Sequence, residues 1–95
     1  MKIEKKVDGS RLTLAIDGRI DTITAPELEA AIVLEGVEEL VFDLANVDYI
    51  SSAGLRVLLS AQKKMMGKSM KIANARQPVM EVFEITGFSS IFTFA

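Results

Sequence analysis

The chain has no cysteine, no histidine and no tryptophan, and only two prolines in 95 residues. Without cysteine there is no disulfide framework, and the redox compartment is left open. Without histidine or cysteine, Ser-His and Cys-His nucleophilic catalysis is excluded, and so are the usual zinc sites. Basic charge is also short: eleven Lys and Arg stand against thirteen Asp and Glu, a net charge of −2. That argues against a nucleic-acid binder, which must neutralise phosphates, and against docking on an anionic membrane. The lysines at Lys5-Lys6, Lys63-Lys64 and Lys68 with Lys71 read as solvated faces. No apolar run approaches a membrane span, and the charged start, Met1-Lys2-Ile3-Glu4-Lys5-Lys6, is no signal peptide. A cytoplasmic protein is expected.

What is present fits one globular domain over residues 1–95: 49% of the residues are hydrophobic and 25% charged, enough to build a core. Gly67-Lys68-Ser69 lacks the upstream glycine of a P-loop, so a nucleotide-binding role has little support. Asp17, Asp21, Asp43 and Asp48 could hold only a hard cation and match no metal loop; they read as caps and turn residues. No cofactor, metal or catalytic residue is expected, and the chain is read as a non-enzyme.

Hydrophobic periodicity gives the elements. Ile3 to Val7 and Leu12 to Ile16 alternate with polar residues around the turn signal Asp8-Gly9, which predicts a hairpin. Asp17 to Thr22 reads as a polar connection. Thr24-Ala25-Pro26-Glu27 has the form of a capping box, with Ile23 and Leu28 placed as a hydrophobic staple. The helix behind it should bury Leu28 and Ile32 and stop at Gly36. Glu39 to Ala45 reads as a strand buried on both faces. Leu55 to Met66 is a strongly helical segment that stops at Gly67. Met70 and Ile72 mark a fourth strand, Pro78 opens a helix that Gly87 closes, and Ile91 to Phe94 form a last short strand. The order is β-β-α-β-α-β-α-β, an α/β fold whose mixed sheet carries the helices on it.

Between the third strand and the second helix lies Asp48-Tyr49-Ile50-Ser51-Ser52-Ala53-Gly54-Leu55. A serine at such a junction can cap the helix, carry out chemistry or be modified. On spacing alone, capping is the simplest role. Functional residues in such sheets gather beyond the strand carboxyl ends, where Ser51-Ser52 and Asp21-Thr22 both lie.

The order of elements, Gly18-Arg19-Ile20-Asp21, Val41-Phe42-Asp43-Leu44 and Val47 through Leu59 together resemble the STAS domain, in particular the stand-alone anti-sigma factor antagonists. Met70 to Asn74, Pro78-Val79, Val82-Phe83 and Ile85 to Phe88 extend the resemblance over essentially the whole chain. It implies a partner switch. Such a protein binds a serine kinase that doubles as an anti-sigma factor, frees the sigma factor, and is released when the kinase phosphorylates it. ATP and magnesium come with the kinase. The acceptor position falls on Ser52, with Ser51 as the cap or as a competing acceptor. Asp21, Thr22, Ser51, Ala53, Gly54 and Arg56 are the partner-binding candidates. The small Ala53 and Gly54 are expected to leave a flat surface for the kinase. The alternative is an accessory subunit of a membrane transporter, docked without phosphorylation. A monomer or weak homodimer is expected. The first helix reads as a turn shorter than the family usually has, and the last helix that many members add is absent from these residues.

Overall fold

The computed structural model describes all of residues 1–95. Its elements are β1 (Lys2–Asp8), β2 (Arg11–Ile20), α1 (Ala25–Ala31), β3 (Glu39–Ile50), α2 (Ser52–Lys64), β4 (Ser69–Ala73) and α3 (Gln77–Thr86), followed by a 3-10 turn at Phe88–Ser90. The expected order holds. The last β element is a single parallel bridge, Ile72 to Phe94, held by hydrogen bonds from Ile72 N–H to Thr93 O and from Ala95 N–H to Ile72 O. Aromatic packing sets this segment's path: Phe92 meets Phe83 edge-on at 5.7 Å and stacks on Phe88 at 5.6 Å.

The sheet order is β1-β2-β3-β4. β1 and β2 are antiparallel, and β2-β3 and β3-β4 are parallel. Gly9, at φ 60°, occupies the first central position of the two-residue hairpin turn, which a side chain would strain. Right-handed crossovers that always step the same way along a sheet place every helix on one face. Burial follows: Leu12, Leu14, Ile16, Leu40, Phe42, Leu44, Met70 and Ile72 are buried while their neighbours on the other face are part-exposed. β3 is therefore covered on one face and not both. Its second face carries Glu39, which meets Arg11 at 3.0 Å and Lys71 at 3.6 Å.

Two strands run further than the hydrophobic pattern suggests. β2 continues through Asp17 and Gly18 to Ile20, and β3 through Val47 to Ile50. The pairing shifts between Ala15 and Asp17 and again between Gly18 and Arg19, with β3 supplying the extra residue each time. These bulges break strict alternation, so Leu44, Val47 and Ile50 are all buried despite their three-residue spacing.

The first helix ends at Ala31, well before Gly36. Ile32 is half-buried beyond its last turn, and the β-branched Ile32-Val33 pair favours leaving the helix. The second helix starts three residues earlier than its apolar stripe and stops at Lys64. Gly54, Leu55, Val57, Leu58 and Ala61 form its buried face. Gly87 closes α3 in the left-handed conformation, as expected.

Candidate functional site

The carboxyl ends of β2 and β3 are tied together by a hydrogen bond from Ser51 N–H to Ile20 O, 2.8 Å. This bond places the chain that follows Ile20 beside the start of α2. Asp21-Thr22 and Ser51-Ser52, thirty residues apart in sequence, thus share one edge of the molecule.

Ser51 is the N-cap of α2, in extended conformation, and its Oγ accepts from Gly54 N–H at 3.5 Å. Its carbonyl accepts from Leu55 N–H at 2.9 Å. Ser52 is the first helical residue and is exposed. The two serines have separate roles in the fold: one is half-buried and occupied as the cap, and the other presents its hydroxyl to solvent. A group on Ser52 sits where the unpaired N–H groups of the helix concentrate positive potential. Arg56 is exposed one turn further along the same side of α2.

Ala53 is part-exposed, whereas Gly54 is buried. A Cβ on Gly54 would lie 2.6 Å from Ile20 Cγ2, 2.8 Å from Ile50 Cγ1 and 3.2 Å from Ile20 O. The glycine is thus required by inward packing, because the helix rests its first turn on the ends of both strands. It contributes nothing to a flat outer surface.

The opposite wall is the Asp21–Thr24 turn. Asp21 Oδ1 accepts from Ile23 N–H and from Thr24 N–H, both at 3.0 Å. Thr24 Oγ1 accepts from Asp21 N–H at 2.9 Å and lies 2.7 Å from Arg19 O, to which it donates. These bonds replace the expected capping box: Thr24 makes no side-chain cap on α1. The staple is absent too, since Ile23 is 87% exposed while Leu28 is fully buried. Asp21 organises the turn in place of Glu27, because its shorter carboxylate reaches N–H groups two and three residues on. The Thr24 N–H holds the Asp21 carboxyl below its ordinary range; partial desolvation opposes this, and the Ile23 N–H, the Thr24 hydroxyl and Arg19 add to it.

Arg19 Nε lies 3.6 Å from Asp21 Oδ2, and the guanidinium sits 4.5 Å above the Tyr49 ring. Sequence reading missed this pair. Arg19 and Tyr49 face each other only because of the second bulge, which no local pattern announces. Asp43 behaves as a strand-end acceptor, taking hydrogen bonds from Ala45 N–H and Asn74 Nδ2, each 3.1 Å. Asp48 differs: it occupies the bulge, exposed, with no such bond. No three carboxylates gather where a metal ion could be held.

The fold is a mixed sheet with helices on one face, and at the strand ends a capped helix presents an exposed serine beside the Asp21 turn, open to solvent. The STAS domain profile matches residues 2–95, and the chain belongs to that family. BtrV of Bordetella bronchiseptica is 39% identical over 95% of this chain and 81% of its own length. The anti-sigma-B factor antagonist of Listeria monocytogenes is 32% identical over 92% of this chain and 81% of its own. Among solved structures, an anti-sigma factor antagonist from Mycobacterium paratuberculosis superposes with a TM-score of 0.87 at 26% identity, covering 98% of this chain and 83% of that one.

Proposed function

We propose that this chain is an anti-sigma factor antagonist that works by partner switching, with Ser52 as the residue a partner kinase phosphorylates. The carrying observation is the division of labour between the two serines: Ser51 caps α2 and Ser52 is free and exposed at its first turn. Membership of the family and the antagonists among its relatives support an anti-sigma factor as the partner, and the exposed Ser52 suits one that is also a serine kinase. ATP and magnesium belong to that kinase, and the chain itself acts as substrate and ligand, without catalysis of its own.

The switch follows from electrostatics. A phosphoserine carries about −1.5 to −2 charges at neutral pH. Within the domain that charge is tolerated, because the helix N-terminus and Arg56 both favour it. At an interface built around a neutral hydroxyl, an unpaired dianion is costly. Losing a few kcal/mol there is roughly a hundredfold in affinity. The Asp21 carboxylate, ionised well into the acid range, adds like charge at the same edge. Thr22, exposed, and Ala53, part-exposed, supply the surface around the acceptor. Phosphorylation therefore releases the partner without refolding this protein. No helix here is long and apolar enough to cross a membrane, and a cytoplasmic setting suits a partner that controls transcription.

The test is affinity capture from the native cells with Ser52→Ala and Ser52→Asp variants. Ser52→Ala is expected to retain a serine kinase and Ser52→Asp to lose it. Equal retention of the same kinase by both would refute the switch, and retention of a transport ATPase in its place would establish the accessory-subunit alternative.

A further inference from the structure

The outer edge of β1 has no partner strand in the monomer. Asp8 and Arg11 flank a two-residue turn and so exchange both ladder hydrogen bonds. Alternation from there turns the N–H and C=O of Ile3, Lys5 and Val7 outward, away from β2. The side chains of these three residues share the helix-covered face with Ile16, Leu14 and Leu12, their partners on β2. Ile3 is half-buried against the core, whereas Val7, at the other end of the strand, is 75% exposed. It borders a groove of about 250 Å³ that Val33, Gly36 and Val37 also line. Lys2, Glu4, Lys6 and Asp8 stand on the open face.

We propose that a second copy of this chain pairs antiparallel with this edge, about a two-fold axis at Lys5, and joins the two sheets into one. In that register Ile3 of each copy lies opposite Val7 of the other, Lys2 opposite Asp8, and Glu4 opposite Lys6. The outward groups of Ile3, Lys5 and Val7 then meet as hydrogen-bonded pairs. Shifting by one such pair toward the N-terminus sets Glu4 against Glu4 and Lys2 against Lys6. Shifting the other way sets Lys6 against Lys6 and Glu4 against Asp8. Like charges directly opposite are destabilising, and the register centred on Lys5 is the one of the three in which attractive pairs outnumber repulsive ones. It also covers the exposed Val7 with an apolar side chain from the other copy.

Lys5 meets its own symmetry mate at the axis, which weakens the pairing. A single strand edge also covers less than the roughly 1,200 Å² of a stable interface. The dimer is accordingly weak and concentration-dependent. With the axis normal to the sheet, the helices of both copies share one face and the two Ser52 sites lie at opposite ends. Self-association thus leaves each site open to its own partner.

The test is sedimentation equilibrium of the full chain from micromolar to millimolar concentration, on the unaltered protein and on Glu4→Lys, Lys6→Glu and the double variant. Reversible dimers are expected. Each single variant, which converts two attractive pairs into repulsive ones, should weaken association about tenfold. The double variant restores it by exchanging the partners, and Lys5→Thr strengthens it. A protein that stays monomeric to millimolar concentration would overturn the proposal, as would a dimer indifferent to the single variants or one the double variant does not restore.

Discussion

Gly54 rests against Ile20 so closely that a methyl group on its α-carbon would stand 2.6 Å from Ile20 Cγ2. This contact joins the first turn of α2 to the end of β2, and through it the serine pair to the Asp21 turn. Ile20 and Ile50 are both essentially without exposed surface, so neither has room to move aside. Overpacking at Gly54→Ala should cost about 1–3 kcal/mol against the roughly 1 kcal/mol that alanine gains in helix propensity, a net destabilisation of up to about 2 kcal/mol. Urea denaturation measures it. A stabilised variant would show that the helix start is free to shift.

The two serines should separate cleanly in a stability assay. Ser51→Ala removes a cap and should cost about 0.5–1 kcal/mol, the low end for such losses because the hydrogen bond is long. Ser52→Ala removes no bond the fold uses and should leave the denaturation midpoint unchanged. Phosphate acceptance should show the reverse pattern, lost in Ser52→Ala and kept in Ser51→Ala.

A charge at Ser52 should be harmless to the domain. Ser52→Asp puts an anion at the first position of α2 and should stabilise by about 0.3–1 kcal/mol at low salt, fading as ionic strength rises. Thermal melts at two salt concentrations test this. A large destabilisation would mean that phosphorylation acts by unfolding the helix start rather than at the interface.

Acid should loosen the Asp21 turn. The Asp21 carboxyl titrates lower in the folded chain than in the unfolded one, so the unfolded chain binds more protons and stability rises with pH. That contribution is complete above the ordinary carboxylate range and is lost as pH falls through the folded value, below about pH 4. Glu39, held down chiefly by its hydrogen bond from Arg11, acts in the same direction and window. The urea midpoint should fall across this range, and Asp21→Ala should flatten the fall. An unchanged slope in Asp21→Ala would remove the turn from the account.

The order of elements and the serine pair at a strand–helix junction were legible because amphipathic periodicity and turn residues report them directly. The ends of β2 and β3 were not. Asp17-Gly18-Arg19 and Asn46 to Tyr49 look like loop by composition, yet they stay in the sheet because bulges re-aim the strand without ending it. Thr24-x-x-Glu27 has the spacing of a capping box, but Asp21 lies upstream and claims the Thr24 N–H that Glu27 would reach. Gly54 reads as a small surface residue until Ile20 is brought against it. In each case a partner distant in sequence, or a competing acceptor nearby, decided the outcome.

The most direct measurement is a phosphosite map by mass spectrometry of the protein isolated from its own cells under several growth conditions. Partial phosphate on Ser52, varying with condition and absent from Ser51, is the predicted result. Ser52 unmodified under every condition, or phosphate confined to Ser51, would contradict the switch.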